Sequence, residues 1–388
     1  MLELRMFNQL YSLLSNPTTP RKILNSDDAR NRARRRIPRI IFDFIDGSTG
    51  SELTPNRNIE AFKSINLQPR ALKNVSKRKL NTTILNEKFS LPFGFAPMGM
   101  SGLSVPKADN FMAKISIEKN IPIGVSTAAS SSLEDMRNKA GEHAWFQLYS
   151  ASSLEETLPF VDRAKVAGYK KLILTVDVPQ VSKRIRDIRN GFAMPFKIGP
   201  AQFIDFACHP FWSIPMLLNG IPFPENFRIN GEKKFQRDAD RSAADWSFLK
   251  KLRDVWKDDL IIKGVTHPED AIKIKEIGCD AIWVSNHGGR QLDSCPSAIS
   301  RLPIIREALG KNYPLLFDSG IRTGDDVIKA LALGANFVMI GRPILFALGA
   351  GGQNGLDSYV TALSEEVSTV MAQLGLNSIR EISSGCIA

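Results

Sequence analysis

The sequence predicts an α/β chain folded as a (β/α)8 TIM barrel, with an N-terminal helical extension and a long insertion after strand four. Three observations predict it. From residue 91 onward, apolar runs of strand length alternate with amphipathic stretches, and eight such units fit within roughly 250 residues, the usual size of such a barrel. No glycine-rich dinucleotide fingerprint follows the first run, where Ala96-Pro97-Met98-Gly99-Met100 stands instead, so a nicotinamide-binding doubly wound sheet is disfavoured. The polar residues able to do chemistry gather at the ends of the runs, and the carboxyl ends of barrel strands all open on one face.

With 388 residues, 43% apolar and 23% charged, the chain has ordinary globular composition and suits one large domain with appendages. It divides into a helical segment over 1–90, a barrel over 91–350 interrupted by an insertion at 180–245, and C-terminal helices over 351–388. The cysteines at 208, 279, 295 and 386 have no paired short spacing, so no metal and no disulfide framework is expected, and a reducing compartment is. The net charge of +11 calls for anionic company. Because Lys and Arg are spread along the chain and no nucleic-acid motif occurs, an acidic substrate, a phosphate-bearing cofactor or a membrane surface fits better than nucleic acid.

Met1 to Ser15 lacks the features of a signal peptide, which predicts a cytoplasmic protein. Ser26-Asp27-Asp28 reads as a helix cap with an acidic first turn, and the arginine run 30–36 ends before Pro38, where a helix stops. Phe42 to Gly47 reads as a second helix closed by glycine. The strand candidates are Leu91 to Met98, Ile121 to Ser126, Ala144 to Tyr149, Lys171 to Val176, Leu260 to Gly264, Ala281 to Ser285, Pro314 to Phe317 and Asn336 to Ile340. Pro106 to Lys119, Ser132 to Lys139, Leu154 to Ala167, Pro268 to Ile277 and Asp325 to Leu333 are helix candidates between them.

The strand ends assemble one constellation. Gln147 and Tyr149 end the third strand, Thr175 and Asp177 the fourth, Lys263 the fifth, and Ser285-Asn286-His287-Gly288-Gly289-Arg290 the sixth. Each alone has an ordinary reading as a packing or turn residue. Together they bring an acid, an imidazole and cations to one rim, which packing does not call for at such desolvation cost. The loops Asp318-Ser319-Gly320-Ile321-Arg322 and Gly341-Arg342-Pro343 add small residues, whose amides can approach a phosphate, and guanidinium forks that match its oxygens. Barrels commonly hold phosphate after the last two strands.

At Ser285 to Asp293, with its flanking strands, the chain resembles the FMN-dependent L-2-hydroxy acid oxidising family, which includes glycolate oxidase and the lactate and mandelate dehydrogenases. The resemblance runs from about Arg36 to Ser383. It implies FMN as cofactor, oxidation of an L-2-hydroxy acid to the 2-oxo acid, and a homotetramer. By matching position, His287 would be the catalytic base and Asp177 its partner. Tyr149 would bond near the substrate hydroxyl, and Arg290 and Arg184 would hold the substrate carboxylate. Lys263 would face the flavin where negative charge develops on reduction. Ser126, Gln147 and Thr175 would meet the flavin edge, with Pro97, Met98, Gly99, Ser285, Asp318, Ser319, Gly320, Arg322, Gly341 and Arg342 completing the cofactor seat. Loss of the α-hydrogen as hydride or as a proton to His287 fits the same residues.

Two positions depart from the family pattern. Phe44 stands where a tyrosine hydroxyl usually bonds the substrate carboxylate, so either the two arginines hold the substrate alone or its shape differs; Ala128 stands where glycolate oxidase has tryptophan and leaves more room, so a lactate-like or larger acid is expected. In the insertion, Phe203 to Pro224 holds 13 apolar residues in 22 with one charge, Asp205, yet Pro210, Pro215, Pro222 and Pro224 argue against a spanning helix. Two readings stand: a lid or subunit contact, or peripheral attachment to the inner face of the cell membrane through Phe211, Trp212, Leu217 and Leu218, as in the family's membrane-associated dehydrogenases. Attachment would make quinone or another carrier the electron acceptor. Another FMN or phosphate-binding barrel enzyme, or a flavin-binding barrel without turnover, is the alternative function.

Overall fold

The computed structural model describes residues 22–193, 198–229, 232–233, 240–242 and 244–388; the Met1 to Ser15 start lies outside them. Eight parallel strands close into a barrel: β3 (Phe93–Phe95), β4 (Ile123–Ser126), β5 (Ala144–Tyr149), β6 (Lys171–Thr175), β9 (Asp259–Val265), β10 (Ala281–Val284), β11 (Leu315–Phe317) and β12 (Phe337–Ile340), the last pairing back onto β3. All eight expected strands are present. So are the expected helices, at Ala108–Glu118, Leu133–Ala140, Leu154–Val166, Pro268–Glu276 and Gly324–Ala332. Strands buried on both faces read as continuous apolar runs, which is why they were legible.

The interior of the barrel is filled, not hollow. Trp145, Ile173, Ile261, Trp283, Leu316, Phe337 and Met339 form one inner cluster. Its amino-terminal end is stoppered by an antiparallel hairpin, β1 (Thr82–Ile84) and β2 (Glu87–Phe89), whose Ile84 and Phe89 join that cluster. The Phe89 ring meets Trp145 and Phe337 edge-on at centroid separations of 6.0 and 5.7 Å. The hairpin escaped the sequence reading because its turn, Leu85-Asn86, carries no glycine although both residues adopt positive φ.

The N-terminal extension lies against the opposite, carboxyl rim. Helix α1 (Ser26–Arg36) is capped by Asn25, whose side-chain oxygen accepts from the Asp28 amide at 2.8 Å, one residue earlier than expected. It ends ahead of Pro38, and α2 (Arg39–Asp46) follows, closed at Gly47. Arg30 and Arg186 both pair with Asp46, at 2.7 and 2.8 Å, so part of the arginine run is structural. These pairs tie α1 and α2 to α7 (Ile185–Arg189) in the insertion. Residues Leu53–Lys63 form α3, which packs on the loop after β10.

The insertion carries two more helices, α8 (Pro200–Ala207) and α9 (Pro210–Asn219). Pro210 sits in the first turn of α9, where a missing amide is tolerated, and Pro215 lies inside it. Among the described residues no helix is long and apolar enough to cross a membrane.

Candidate active site

Side chains alternate across a strand, so each inward position fixes the next two residues on. Trp145 points inward and leads to Gln147 and Tyr149; Ile173 leads to Thr175 and Asp177; Ile261 to Lys263; Trp283 to Ser285 and His287; Leu316 to Asp318; Met339 to Gly341. The constellation is therefore the continuation of the packed core beyond the carboxyl rim. An open cleft with about 1340 Å³ of empty space lies there. It is lined by His287, Tyr149, Arg184, Arg290, Lys263, Pro97, Met98, Gly99, Asp318, Ser319, Gly320, Arg322, Gly341 and Arg342, among others. Ser126, Gln147, Thr175 and Ser285 lie below its lining, fully buried. There Gln147 Nε2 donates to Thr175 Oγ1 at 3.0 Å, and Ser126 Oγ accepts from the Ala128 amide at 3.1 Å.

His287 sits at φ 57°, its amide donating to Ser285 Oγ at 3.0 Å, and its Nδ1 is 2.9 Å from Asp177 Oδ1. Asp177 reaches this place because β9 bulges at Gly264. The β9–β10 register shifts there, φ is +102°, and a Cβ would lie 2.5 Å from Asp177 Cγ. Burial lowers the affinity of His287 for a proton, and this outweighs the raising effect of Asp177, so the ring is neutral at neutral pH. Asp177 acts against this shift without reversing it. Burial pushes the Asp177 carboxyl up, but His287 and Lys263 more than offset it, and it stays ionised. The second Asp177 oxygen, Oδ2, is buried without a hydrogen-bond partner among the described residues.

Lys263 is buried yet stays charged. Burial would lower its pKa, but Asp318, 2.9 Å away, and Asp177 raise it above the ordinary value. Ser285 Oγ bridges the pair, accepting from Lys263 at 2.8 Å and donating to Asp318 at 2.5 Å. Ser319 Oγ donates to the same Asp318 oxygen at 2.7 Å and accepts from the Gly288 amide at 3.0 Å, which links the seventh-strand loop to the His287 turn.

Arg290 Nη1 donates to the carbonyls of Phe44, at 3.0 Å, and Gly47, at 2.9 Å, at the C-terminal end of α2, where the helix dipole favours a cation. Its guanidinium carbon lies 5.4 Å from the centre of the Phe44 ring, and that ring stacks nearly parallel on Phe192 at 4.4 Å. The position lacking a hydroxyl is thus filled by an aromatic pair. Arg184 is close to Asp187, 3.9 Å away.

At the other end of the cleft, Arg322 and Arg342 are half-buried and, among the described residues, neither pairs with a carboxylate. Burial lowers both, and the charge of Arg322 helps bring Arg342 down to about 10. Arg342 spans Gly288 O and Gly47 O, at 2.8 and 3.0 Å. Gly288 makes room for it, because a Cβ there would lie 2.5 Å from Arg342 Nη1. Two mutually repelling half-buried guanidiniums beside the small residues Ser319, Gly320 and Gly341 fit a phosphate dianion.

Among the lining residues that the sequence does not announce are Phe192 and Arg241, both in the insertion. No local periodicity marks either one. Sequence reasoning misplaced Trp212. That side chain is buried, donating from Nε1 to Leu103 O at 2.7 Å and packing on Phe206, so it anchors α9 to the barrel instead of facing outward.

Fold and cleft define a (β/α)8 enzyme that seats a phosphate-bearing cofactor beside a part-buried acid–imidazole pair. Residues 33–388 match the FMN-dependent dehydrogenase family. The L-lactate dehydrogenase of Xanthobacter autotrophicus is 34% identical over 371 residues, 93% of this chain and 95% of that one. The (S)-mandelate dehydrogenase of Pseudomonas putida is 33% identical, with 93% of each chain covered. A crystal structure of the monotopic membrane protein (S)-mandelate dehydrogenase superimposes with a TM-score of 0.91 at 33% identity, covering 94% of this chain and 99% of that one. The chain belongs to the FMN-dependent dehydrogenase family, and its cofactor is FMN.

Proposed function

We propose that the protein oxidises an L-2-hydroxy acid to the 2-oxo acid and passes the electrons to quinone or another carrier at the inner face of the membrane. The observation that carries this reading is His287, held by Asp177 and lining the same cleft as Tyr149, Arg184 and Arg290. FMN, when bound, accepts the two electrons of the alcohol. Neutral His287 takes the proton, and ionised Asp177 holds the ring by its Nδ1 and stabilises the imidazolium that forms. Arg290 and Arg184 bind and orient the carboxylate, and Tyr149 bonds the hydroxyl. Lys263 places a fixed positive charge where negative charge grows in the cofactor seat, which spans Pro97 to Gly99 on one side and Asp318 to Arg342 on the other. Phe44, Phe192 and Ala128 line the cleft and favour an acid larger than lactate.

Support for the membrane comes from α8 and α9, where Phe203, Ile204, Phe211, Leu217 and Leu218 are exposed, and from Arg36 of the basic α1, which stacks 5.3 Å from the Phe211 ring. Anaerobic mixing with a panel of L-2-hydroxy acids tests the activity. Bleaching of the flavin band is expected, stronger with acids larger than lactate than with lactate. Absence of bleaching with every acid would overturn the reading in favour of a non-catalytic flavin barrel.

A further inference from the structure

Among the described residues, the cleft holds one cation that these roles leave over. Lys263 is paired with Asp318, Arg322 and Arg342 stand at the phosphate end, and Arg184 and Arg290 serve the substrate carboxylate. Arg241, from the far end of the insertion, lines the same cleft. Its guanidinium carbon lies 4.4 Å from the centre of the Tyr149 ring, a cation–π contact. Its backbone is fixed to the loops after the strands that supply Tyr149 and Asp177: its amide donates to Pro179 O at 3.3 Å, and its carbonyl accepts from Ser150 Oγ at 3.2 Å. The position is therefore set by the barrel and not by the insertion alone.

Among the described residues, no carboxylate pairs with the Arg241 guanidinium and no protein atom accepts a hydrogen bond from it. Yet it is mostly withdrawn from water, and burial holds its pKa below the ordinary arginine value. The stacked aromatic ring offsets only part of the lost hydration, and the donors in the guanidinium plane remain unsatisfied. A half-buried fork of donors without an acceptor among the described residues, opening on a substrate cleft, is a seat for a second anionic group.

We infer that Arg241 is a specificity-determining residue that receives a second carboxylate, so that the acid this site prefers is a 2-hydroxy dicarboxylic acid. The inference rests on the proposed oxidation of a 2-hydroxy acid. It explains why a cleft whose apolar lining suits a long substrate also carries a cation with no hydrogen-bond acceptor among the described residues: the chain of the acid runs along that lining and its distal carboxylate ends on Arg241.

The test compares acids of equal length with and without the distal charge, L-malate against L-2-hydroxybutyrate and L-2-hydroxyglutarate against L-2-hydroxyvalerate, on the FMN-loaded wild-type protein and on Arg241→Met and Arg241→Lys. The wild type is expected to favour one of the diacids at least tenfold in kcat/KM. Arg241→Met should lose 10- to 100-fold on that diacid, chiefly through KM, and less than threefold on its monoacid partner, and Arg241→Lys should recover part of the loss. Preference for the monoacids in the wild type, or an equal loss on both acids of a pair, would overturn it. Equal loss would mean that Arg241 acts through Tyr149 or on the carboxylate common to both acids. Binding of oxaloacetate or 2-oxoglutarate, read from the perturbed flavin spectrum, separates the two ideas. Arg241-dependent binding without bleaching by any acid would retain the anion seat and reject the activity.

Discussion

His287 Nδ1 lies 2.9 Å from Asp177 Oδ1, across a gap that two strands, β6 and β10, bridge over β9. The bond commits Nδ1 to the carboxylate and leaves Nε2 for the cleft. It also fixes how the site responds to pH. The His287 pKa lies below its ordinary value of 6.5, so the base is neutral above that pH and kcat/KM falls only as pH drops through the lower, folded-state value. The unfolded chain takes up the proton more readily, so folding stability also declines as pH falls below 6.5.

Asp177→Asn removes the charge that supports the imidazolium while keeping the shape. The acid limb of the kcat/KM profile should move to still lower pH, and kcat should drop by about two to four orders of magnitude. FMN content should be unchanged. A variant with normal kcat and an unmoved limb would show that Asp177 does not orient the base.

Gly264 is the indirect handle on the same pair. A Cβ there would come 2.5 Å from Asp177 Cγ at a backbone φ of +102°, so Gly264→Ala must displace the carboxylate or the bulge. Without touching the substrate it should reduce kcat by at least tenfold and lower the midpoint of thermal unfolding, the left-handed strain being worth about 1 kcal/mol or more. The pH profile of the residual activity should shift in the direction of Asp177→Asn. An unshifted profile would mean that only the backbone is strained.

Arg322 and Arg342 repel each other in the free protein and find a common counter-charge in a phosphate. Arg342→Met should weaken FMN binding by roughly 10- to 100-fold, the usual loss for a hydrogen bond to a charged group, and leave riboflavin binding nearly unchanged. Fluorescence titration of the apoprotein with each flavin measures both. Equal weakening of both flavins would indicate damage to the Gly47 and Gly288 carbonyl contacts of Arg342 rather than loss of a phosphate contact.

Phe44→Tyr would return the hydroxyl that the family pattern leads one to expect. If the ring keeps its stack on Phe192, a new bond to the substrate carboxylate should lower KM by up to tenfold, worth about 1.5 kcal/mol. The effect should shrink in an Arg290→Lys background, because Arg290 lies over the same ring and donates to the Phe44 carbonyl. Steady-state kinetics of the single and double variants gives the coupling, and additive effects would place the hydroxyl away from the carboxylate.

The rim chemistry was legible because barrel geometry turns strand order into spatial convergence. Once Ala144 to Tyr149 and Lys171 to Val176 read as strands, Tyr149 and Asp177 had to meet His287 at one end. What stayed hidden had no period to announce it. Arg241 and Phe192 are brought to the cleft by the path of the insertion, and the hairpin over 82–89 by a turn without glycine. Trp212 shows the limit of composition: an apolar stretch has two faces, and only packing tells which one carries the tryptophan.

That stretch carries the last prediction. Helix α8 buries none of its residues; Phe203 on it is 67% exposed and Leu217 on α9 is 82% exposed, an apolar surface that water disfavours. Trp212 and Met216 hold α9 on the barrel, so the outer side chains can change without unfolding the site. Replacing Phe203, Leu217 and Leu218 together with serine removes roughly a dozen buried methylenes' worth of lipid contact, at about 0.8 kcal/mol each if fully inserted. The triple variant should leave sedimented anionic vesicles for the supernatant while keeping its FMN and its bleaching by hydroxy acid. Neutral vesicles or high salt should release the wild type in part, since the neighbouring basic helix adds the electrostatic share. If the variant stays with the vesicles as the wild type does, the exposed face serves a contact between protein chains, and the acceptor must reach the flavin from solution.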